Sequence, residues 1–573
     1  MDRRLFIKAL GTALLTPYAI TINKAHAGGG APAVPPPTQP AQSGSTNWER
    51  VFTWSVASGD PSPSGAVIWT RVSPASYASN KLLSFEVSTN REFSNIVFAG
   101  NVNSSELNAQ RDYTANIDLD GQLNASSTYY YRFKYDGEIS RTGRFKTLPA
   151  NNASVEQIKI GVLTCQDYTT GFFNAYSRLA EEELDFVVHL GDFIYEYDTY
   201  GHGAFKSYER TITMPSGYKS CDSLEDFRHV YRLHRADKNL QRAMEQHAFV
   251  IVWDDHETAN DNFHDYENDT LGLPEDDERH TRSAAAKRQL RLDAQRAWVE
   301  YVPARVQVEE NSTNPHNYLK MYRQLKCGNL LDLFMTDSRT YRTQQPCEDG
   351  GTGAIDCKGT QVGAPQSTML GAEQKNWMIN GMLASNAKWK VWGNQTMVSQ
   401  MALTLAGAQL AYLNLDQWDG YQHERHDIIH TLKQNGIDSR LVVLTGDLHT
   451  AMTGYVKLDY GNINNWDYAN LSGVEIMTPA VTSPGADESV SRFVGDVPLN
   501  ISWLANGFIQ INNPHIKDFS TGINGYTVID FKREGLEYAY YNVEKRSDNP
   551  DAVRKLHHEF TYDPKTTWIK KKS

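Results

Sequence analysis

Four short stretches of this 573-residue chain gather side chains that bind metals. They are Thr164-Cys165-Gln166-Asp167-Tyr168, Gly191-Asp192-Phe193-Ile194-Tyr195, the run from Trp253 through Asp254, Asp255, His256, Glu257 and Asn260 to Asp261, and Gly446-Asp447-Leu448-His449-Thr450. Carboxylates, an imidazole, an amide, a phenol and a thiol brought to one surface repel each other or stay unsatisfied unless a cation joins them. Two metals sharing one carboxylate meet that demand. Paired metals clamp the attacking and leaving oxygens of an in-line displacement at phosphorus. Each residue alone also has a plainer reading. Asp192 caps a helix while Tyr195 packs, Cys165 is a small buried hydrophobe, and Asn260 belongs to a turn.

The elements needed to bring the four stretches together are legible. Each stretch follows an apolar run, at 158–163, 186–190, 248–253 and 441–444, which reads as a short buried strand. In open α/β sheets, ligand sites lie outside the carboxyl ends of the strands. From about residue 156 the pattern alternates, with helices at 172–183, from 223, near 240, at 282–301 and at 371–383. Leu290, Ala294, Ala297, Trp298 and Tyr301 form one apolar stripe of the long helix. A hairpin is predicted around 327–329 and a closing one around 532–535, and the polar insertions 255–282 and 343–370 read as lids. Residues 47–149 contain about seven short β-branched or aromatic runs without cysteine. They predict an all-β, immunoglobulin- or fibronectin-like sandwich that is structural, followed by a catalytic domain over 150–573.

Residues 1–27 read as a twin-arginine signal peptide: Arg3-Arg4-Leu5-Phe6-Ile7-Lys8, a modest apolar region, then Ala25-His26-Ala27. An ordinary secretory signal is the alternative. The apolar part is too short to span a membrane stably. The expectation is export through the twin-arginine translocase to the periplasm or medium, with no membrane span in the mature form. Residues 28–46 are a Pro/Gly/Ser-rich flexible linker. The net charge of −12 and the lack of a basic stripe disfavour a stable nucleic-acid complex. Of five cysteines, Cys347 and Cys357 flank a Gly-rich loop and are the best disulfide pair, whereas Cys221 and Cys327 either pair or stay free.

G-D-x-x-Y, D-H-E and G-D-L-H resemble metallophosphoesterase motifs. More closely, VASGDPSPSGAVIWTRV, VLTCQDYTTGFFNAY, VVHLGDFIYEY, VIVWDDHETAND, DQWDGYQHER, VVLTGDLHTA and GVEIMTPAVTSPG resemble the PhoD-like alkaline phosphatases and phosphodiesterases. The resemblance runs from about residue 50 to 544. It implies an α/β catalytic core built as a four-layer αββα sandwich. It implies one ferric ion on Cys165, Asp192, Tyr195 and His449, and calcium, one or two ions, on Asp192, Asn260 and Asp447. Anionic phenolate and thiolate suit trivalent iron, and all-oxygen ligands suit calcium. Thr164 and Thr258 depart from the family pattern, which touches substrate preference rather than reaction class.

His256, beside the ligands, is the candidate to contact phosphate or protonate the leaving oxygen, or else it supports a ligand by hydrogen bonding. Asp254, Asp255 and Asp261 are spare carboxylates, Asn394 and Gln395 follow another strand end, and Arg339 and Arg342 either steady substrate charge or, preferably, pair with core carboxylates. The expected function is hydrolysis of small phosphate mono- and diesters by metal-activated oxide or hydroxide, for phosphate scavenging, by a monomer. The alternatives are a non-catalytic protein that keeps the metal scaffold, and a specialised phospholipase or nuclease.

Overall fold

Short, mostly apolar runs build two large mixed sheets in the computed structural model, which describes residues 48–102, 106–200, 208, 210–346, 363–405, 408–465, 467–485, 487–488 and 502–572. The expected signal, linker and Cys347–Cys357 loop lie outside the described residues. The larger sheet has ten strands. In order they are Trp568–Lys571, Arg554–Asp563, Leu536–Val543, Gly525–Lys532, Gln157–Leu163, Phe186–His189, Ala248–Ile251, Val56–Ser62, Gly65–Arg71 and Thr114–Asp118. Gln157–Leu163, Phe186–His189 and Ala248–Ile251 run parallel, so their carboxyl ends share one edge. The second sheet has seven strands, in the order Arg323–Cys327, Leu331–Met335, Trp389–Gly393, Leu441–Thr445, Leu471–Met477, Ala451–Lys457 and Ile516–Ser520. Its middle four are parallel.

A period of two assigns the faces. In Leu441–Thr445, Val442 and Leu444 join one apolar cluster with Ile160, Val162 and Val188 of the larger sheet. Leu441 and Val443 join another with Met378 of the helix Ala372–Ala384 and with Ile428 and Leu432 of Gln422–Gln434. The two sheets thus share a core, and helices cover the far side of the smaller one. The helix Ala284–Tyr301 is capped by Ser283, whose hydroxyl accepts from Ala286 N. It buries the predicted stripe Leu290, Ala294, Ala297, Trp298 and Tyr301.

The region 47–149 departs from a closed sandwich. Leu83–Ser88, Ile96–Asn101, Thr128–Tyr135, Glu138–Ile139 and Gly143–Lys146 form a sheet of their own. Val56–Ser62, Gly65–Arg71 and Thr114–Asp118 instead extend the ten-stranded sheet, through the parallel pairs Ser58↔Ala248 and Gly59↔Phe249. The two layers still share a core, with Ile68 and Ala115 facing Phe85, Tyr131 and Phe145. Continuity is favoured because Ala248–Ile251 would otherwise expose a row of unpaired backbone groups. Nor does the hairpin at 532–535 close the fold: Arg554–Asp563 and Trp568–Lys571 add two further strands beyond it. Among the described cysteines, Cys165, Cys221 and Cys327 are free and buried, so Cys221 and Cys327 do not pair.

Candidate metal centre

The chain turns sharply at each strand end. Cys165, Asp192, Asp447 and His449 adopt φ of 57°, 56°, 61° and 53°. Non-glycine residues enter this left-handed region at a cost of roughly 1–3 kcal/mol each, and such strain clusters at functional sites. Gly191 has φ of 103°, and a Cβ there would lie 2.4 Å from Asp254 N, so this turn demands glycine on both counts. Glu257 fastens the same turn. Its carboxylate accepts from Asp192 N at 3.1 Å, Phe193 N at 2.8 Å and Asp254 N at 2.8 Å. Two strand ends are therefore locked by one buried side chain.

Four of the expected ligands converge. Cys165, Asp192 and His449 each bring one ligand atom within 4.8 Å of the others. The Tyr195 hydroxyl donates to Asp192 Oδ2 at 2.8 Å and lies 3.2 Å from His449 Nε2. It also accepts from Ser483 Oγ at 2.7 Å. His449 Nδ1 lies 2.9 Å from the carbonyl oxygen of Pro484, an obligate acceptor. The ring proton therefore sits on Nδ1, and Nε2 presents its lone pair to the cluster.

Asp447 joins a second group with Asp254 and Asp255, again with ligand atoms within 4.8 Å of one another. A third group links Asp192, Asp255 and His256. Asp192 is thus common to the first and third groups and Asp255 to the second and third, while Asp447 is not grouped with Asp192. Asn260 sits in the adjoining turn, its backbone N–H donated to Glu196 Oε1 at 2.8 Å. Asp261 N donates to Asp255 Oδ2 at 2.7 Å.

Arg339 fills the role of core counter-charge. Its guanidinium donates to Asp254 Oδ1 at 2.5 Å, to both oxygens of Asp416 at 3.0 and 3.1 Å, and to Asp447 Oδ1 at 3.2 Å. Arg342 pairs with Asp416 at 2.7 Å. Gln417 Nε2 holds the other oxygen of Asp447 at 2.5 Å. Even so, Asp254 Oδ2 and Asp255 Oδ1 are buried without a hydrogen-bond partner.

The electrostatics follow from burial. Burial, then the Asp192 charge, raises the Cys165 thiol well above its ordinary range. The same two causes raise the Tyr195 phenol. Burial is also the main cause raising the Asp192 and Asp254 carboxyls well above normal, and it brings Asp447 to about 6. For His256, burial opposes the charged form, but Glu196, Asp255 and Asp192 override it and hold the ring protonated. Its Nδ1 lies 2.7 Å from Glu196 Oε2, and its ring stacks on Tyr195 with centroids 4.1 Å apart.

A thiol, a phenol, an imidazole with its lone pair inward, a shared carboxylate and two orphaned carboxylate oxygens fit metal cations. A cation would displace the costly protons these groups otherwise keep. Sequence reasoning gave no role to Glu196, Gln417 and Ser483, and none as a turn lock to Glu257. Three of these lie inside segments already singled out, YEY, DQWDGYQHER and TSPG, and Glu257 is the acid of D-H-E.

Comparison with known proteins places the chain in a family. The model of the PhoD-like phosphatase family matches residues 160–540, and that of the PhoD-like phosphatase N-terminal domain matches residues 38–149. The chain is 30% identical over 528 residues to alkaline phosphatase D of Bacillus subtilis (strain 168), covering 91% of this chain and 82% of that one. A solved structure described as that of PhoD superposes with a TM-score of 0.75 at 28% identity, covering 91% of this chain and 92% of its own. The chain belongs to the PhoD-like phosphatase family and is a phosphoric ester hydrolase.

Proposed function

We propose that this family member is an exported phosphatase and phosphodiesterase that scavenges phosphate from small mono- and diesters in the periplasm or medium, as a monomer delivered by the twin-arginine route. In this reading its core is a four-layer αββα sandwich. Cys165, Asp192, Tyr195 and His449 hold one ferric ion, and Asp192, Asn260 and Asp447 hold calcium. The carrying observation is the convergence of strained strand ends that leaves Cys165, Asp192 and His449 ligand atoms within 4.8 Å of one another. When bound, the ions supply positive charge for the phosphoryl oxygens and lower the pKa of an attacking water.

The chain's own residues do the rest. Asp192 and the Glu257-locked turn fix the spacing of the two sides. Arg339 is fully engaged by Asp254, Asp416 and Asp447, so it offsets carboxylate repulsion rather than reaching for substrate. Glu196 keeps a proton on His256, which leaves the ring able to donate to a phosphoryl or leaving oxygen. No reading as a purely binding protein is needed, since every expected ligand is intact.

The test combines metal analysis with turnover of a chromogenic monoester and diester. Iron with calcium, a visible phenolate-to-iron band that Tyr195→Phe bleaches, and turnover lost on calcium removal are expected. A colourless zinc protein, or full turnover after verified calcium depletion, overturns the metal assignment. Normal export of an Arg3→Lys, Arg4→Lys double variant overturns the route.

A further inference from the structure

Outside the ligand set just described, His264, Asp269 and His316 also bring one ligand atom each within 4.8 Å of one another. His264 stands on Phe263–Asp265, and Asp269 lies in the turn before Thr270–Gly272. His316 belongs to the single helical turn Pro315–Tyr318. The two imidazoles lie with centroids 3.7 Å apart and planes at 41°, closer than the roughly 5 Å of two rings on one tetrahedral ion, so one ring must turn to share it. His264 Nε2 lies 3.4 Å from Asp269 Oδ1. That is longer than the usual hydrogen bond of about 2.7–3.2 Å. It matches the roughly 3.3–3.4 Å between two ligands each about 2.0–2.1 Å from one tetrahedral ion.

The surroundings are built in the same sense. His316 Nε2 donates to the Thr340 carbonyl at 2.9 Å, which leaves the lone pair on Nδ1. A ring N–H given to a backbone carbonyl is how metal-binding imidazoles are oriented. His264 is only 3% exposed; with its Nε2 turned to Asp269, its Nδ1 is buried without a hydrogen-bond partner, so this ring lacks the orienting bond that His316 has. Asp269 is 58% exposed, which opens a route for an ion, and Asn314 Nδ2 approaches its other oxygen at 3.5 Å. Two guanidiniums lie nearby, and their charge disfavours a proton on His264. Arg288 donates to the Asp269 backbone carbonyl at 2.7 Å, and Arg291 donates to Asn262 Oδ1 and the Phe263 carbonyl.

We propose that His264, Asp269 and His316 form a further metal site, for a divalent transition ion of the zinc type, with water in the fourth position. Two imidazoles and one carboxylate suit zinc rather than calcium. The ion would fasten the hairpin Phe263–Gly272 to the turn Pro315–Tyr318, whose His316 bonds the Thr340 carbonyl of the segment that carries Arg339 and Arg342. His264 N already donates to the Arg342 carbonyl at 2.9 Å, and the Tyr266 hydroxyl to that of Tyr341 at 2.7 Å. The role is structural support of the metal centre, not turnover.

Zinc, and cobalt as a coloured stand-in, are titrated into the full-length protein with its catalytic ions in place. The wild type is expected to bind one more equivalent than Asp269→Asn and His316→Gln, with tetrahedral cobalt absorption and a raised melting temperature. Each variant is expected to lose at least about 100-fold in affinity for that equivalent, the upper end of what losing a mere supporting hydrogen bond does. Asp269→Asn is an exposed, isosteric change, so it separates ligand loss from misfolding. Equal stoichiometry and affinity in the wild type and both variants, or an extra equivalent that lacks the cobalt signature, overturns the proposal.

Discussion

Two buried charge clusters in this molecule obey opposite rules. In the first, Asp112 receives Arg71 at 2.6 Å and Arg232 at 2.9 Å, and it accepts from the Tyr301 hydroxyl. Burial works to raise its carboxyl, but the Arg71 hydrogen bond and charge lead the forces that hold it below the usual range. In the second, Asp254, Asp255, Asp416 and Asp447 crowd around Arg339, with Arg342 on Asp416 and His256 beside Asp192 and Asp255. Burial outweighs the positive charge available to Asp192 and Asp254, and Asp254 Oδ2 and Asp255 Oδ1 make no hydrogen bond, although Arg339 lies 3.7 Å from Asp255 Oδ1. Both clusters use a left-handed aspartate: φ is 47° at Asp112 and 56° at Asp192. Backbone strain alone therefore does not mark the catalytic site. What marks it is a charge imbalance that the protein leaves for a ligand to correct.

The strongest way to break this comparison is to substitute the shared carboxylate. Asp192→Asn is expected to reduce kcat/KM by about 10⁴-fold, some 5.5 kcal/mol of transition-state stabilisation. The same change should not lower the urea midpoint of the metal-free protein, because it relieves repulsion. Steady-state kinetics and urea denaturation read the two effects. A well-metallated variant with near-normal turnover would remove Asp192 from the centre of the argument.

The complementary change lies in the balanced cluster. Asp112→Asn keeps the shape and tolerates the left-handed backbone, but it leaves Arg71, 2% exposed, without its charged partner. Breaking a buried pair from one side costs roughly 3–5 kcal/mol. Stability should fall by that order while kcat per folded molecule is unchanged. If turnover fell instead, the pair would be acting on the site through the helices Leu224–Ala236 and Ala284–Tyr301, which carry Arg232 and Tyr301.

Much of the candidate site's geometry was legible because its physics is local. An apolar run followed by a tight turn and a hard ligand sits within a few residues, as in Leu190, Gly191 and Asp192. The preference for Arg339 as a partner of core carboxylates also agrees with its contacts. Glu257 was not legible as the lock of two turns, because two of the three N–H groups it receives belong to Asp192 and Phe193, more than sixty positions earlier. That part of residues 47–149 pairs into the larger sheet was not legible for a related reason. Val56–Ser62 has the alternation of any sandwich strand, and only its long-range register with Ala248–Ile251 makes it part of the catalytic sheet. His264 and His316 are separated by a helix of 18 residues and carry no motif, so only the fold brings them together.

The finest distinction between the clusters is the sign of their pH dependence. The Asp112 carboxyl is lowered on folding from 3.8, so its contribution to stability is complete above that value and is lost as pH falls through the folded pKa. The Asp447 carboxyl is raised from 3.8 to about 6, chiefly by burial. Its contribution is complete below 3.8 and is lost as pH rises through about 6. Protein stripped of its ions should therefore show a urea midpoint that declines between these two values. Calcium should flatten the decline, since a cation takes over what the proton was doing. Asp447→Asn should make the decline of the stripped protein shallower, with Asp192 and Asp254, raised by the same burial, carrying the remainder. Asp112→Asn should leave that decline in place and flatten only the acid limb below it. A stripped protein whose midpoint stays level over the same window would mean that Arg339 already balances the carboxylates, and the contrast between the two clusters would be lost.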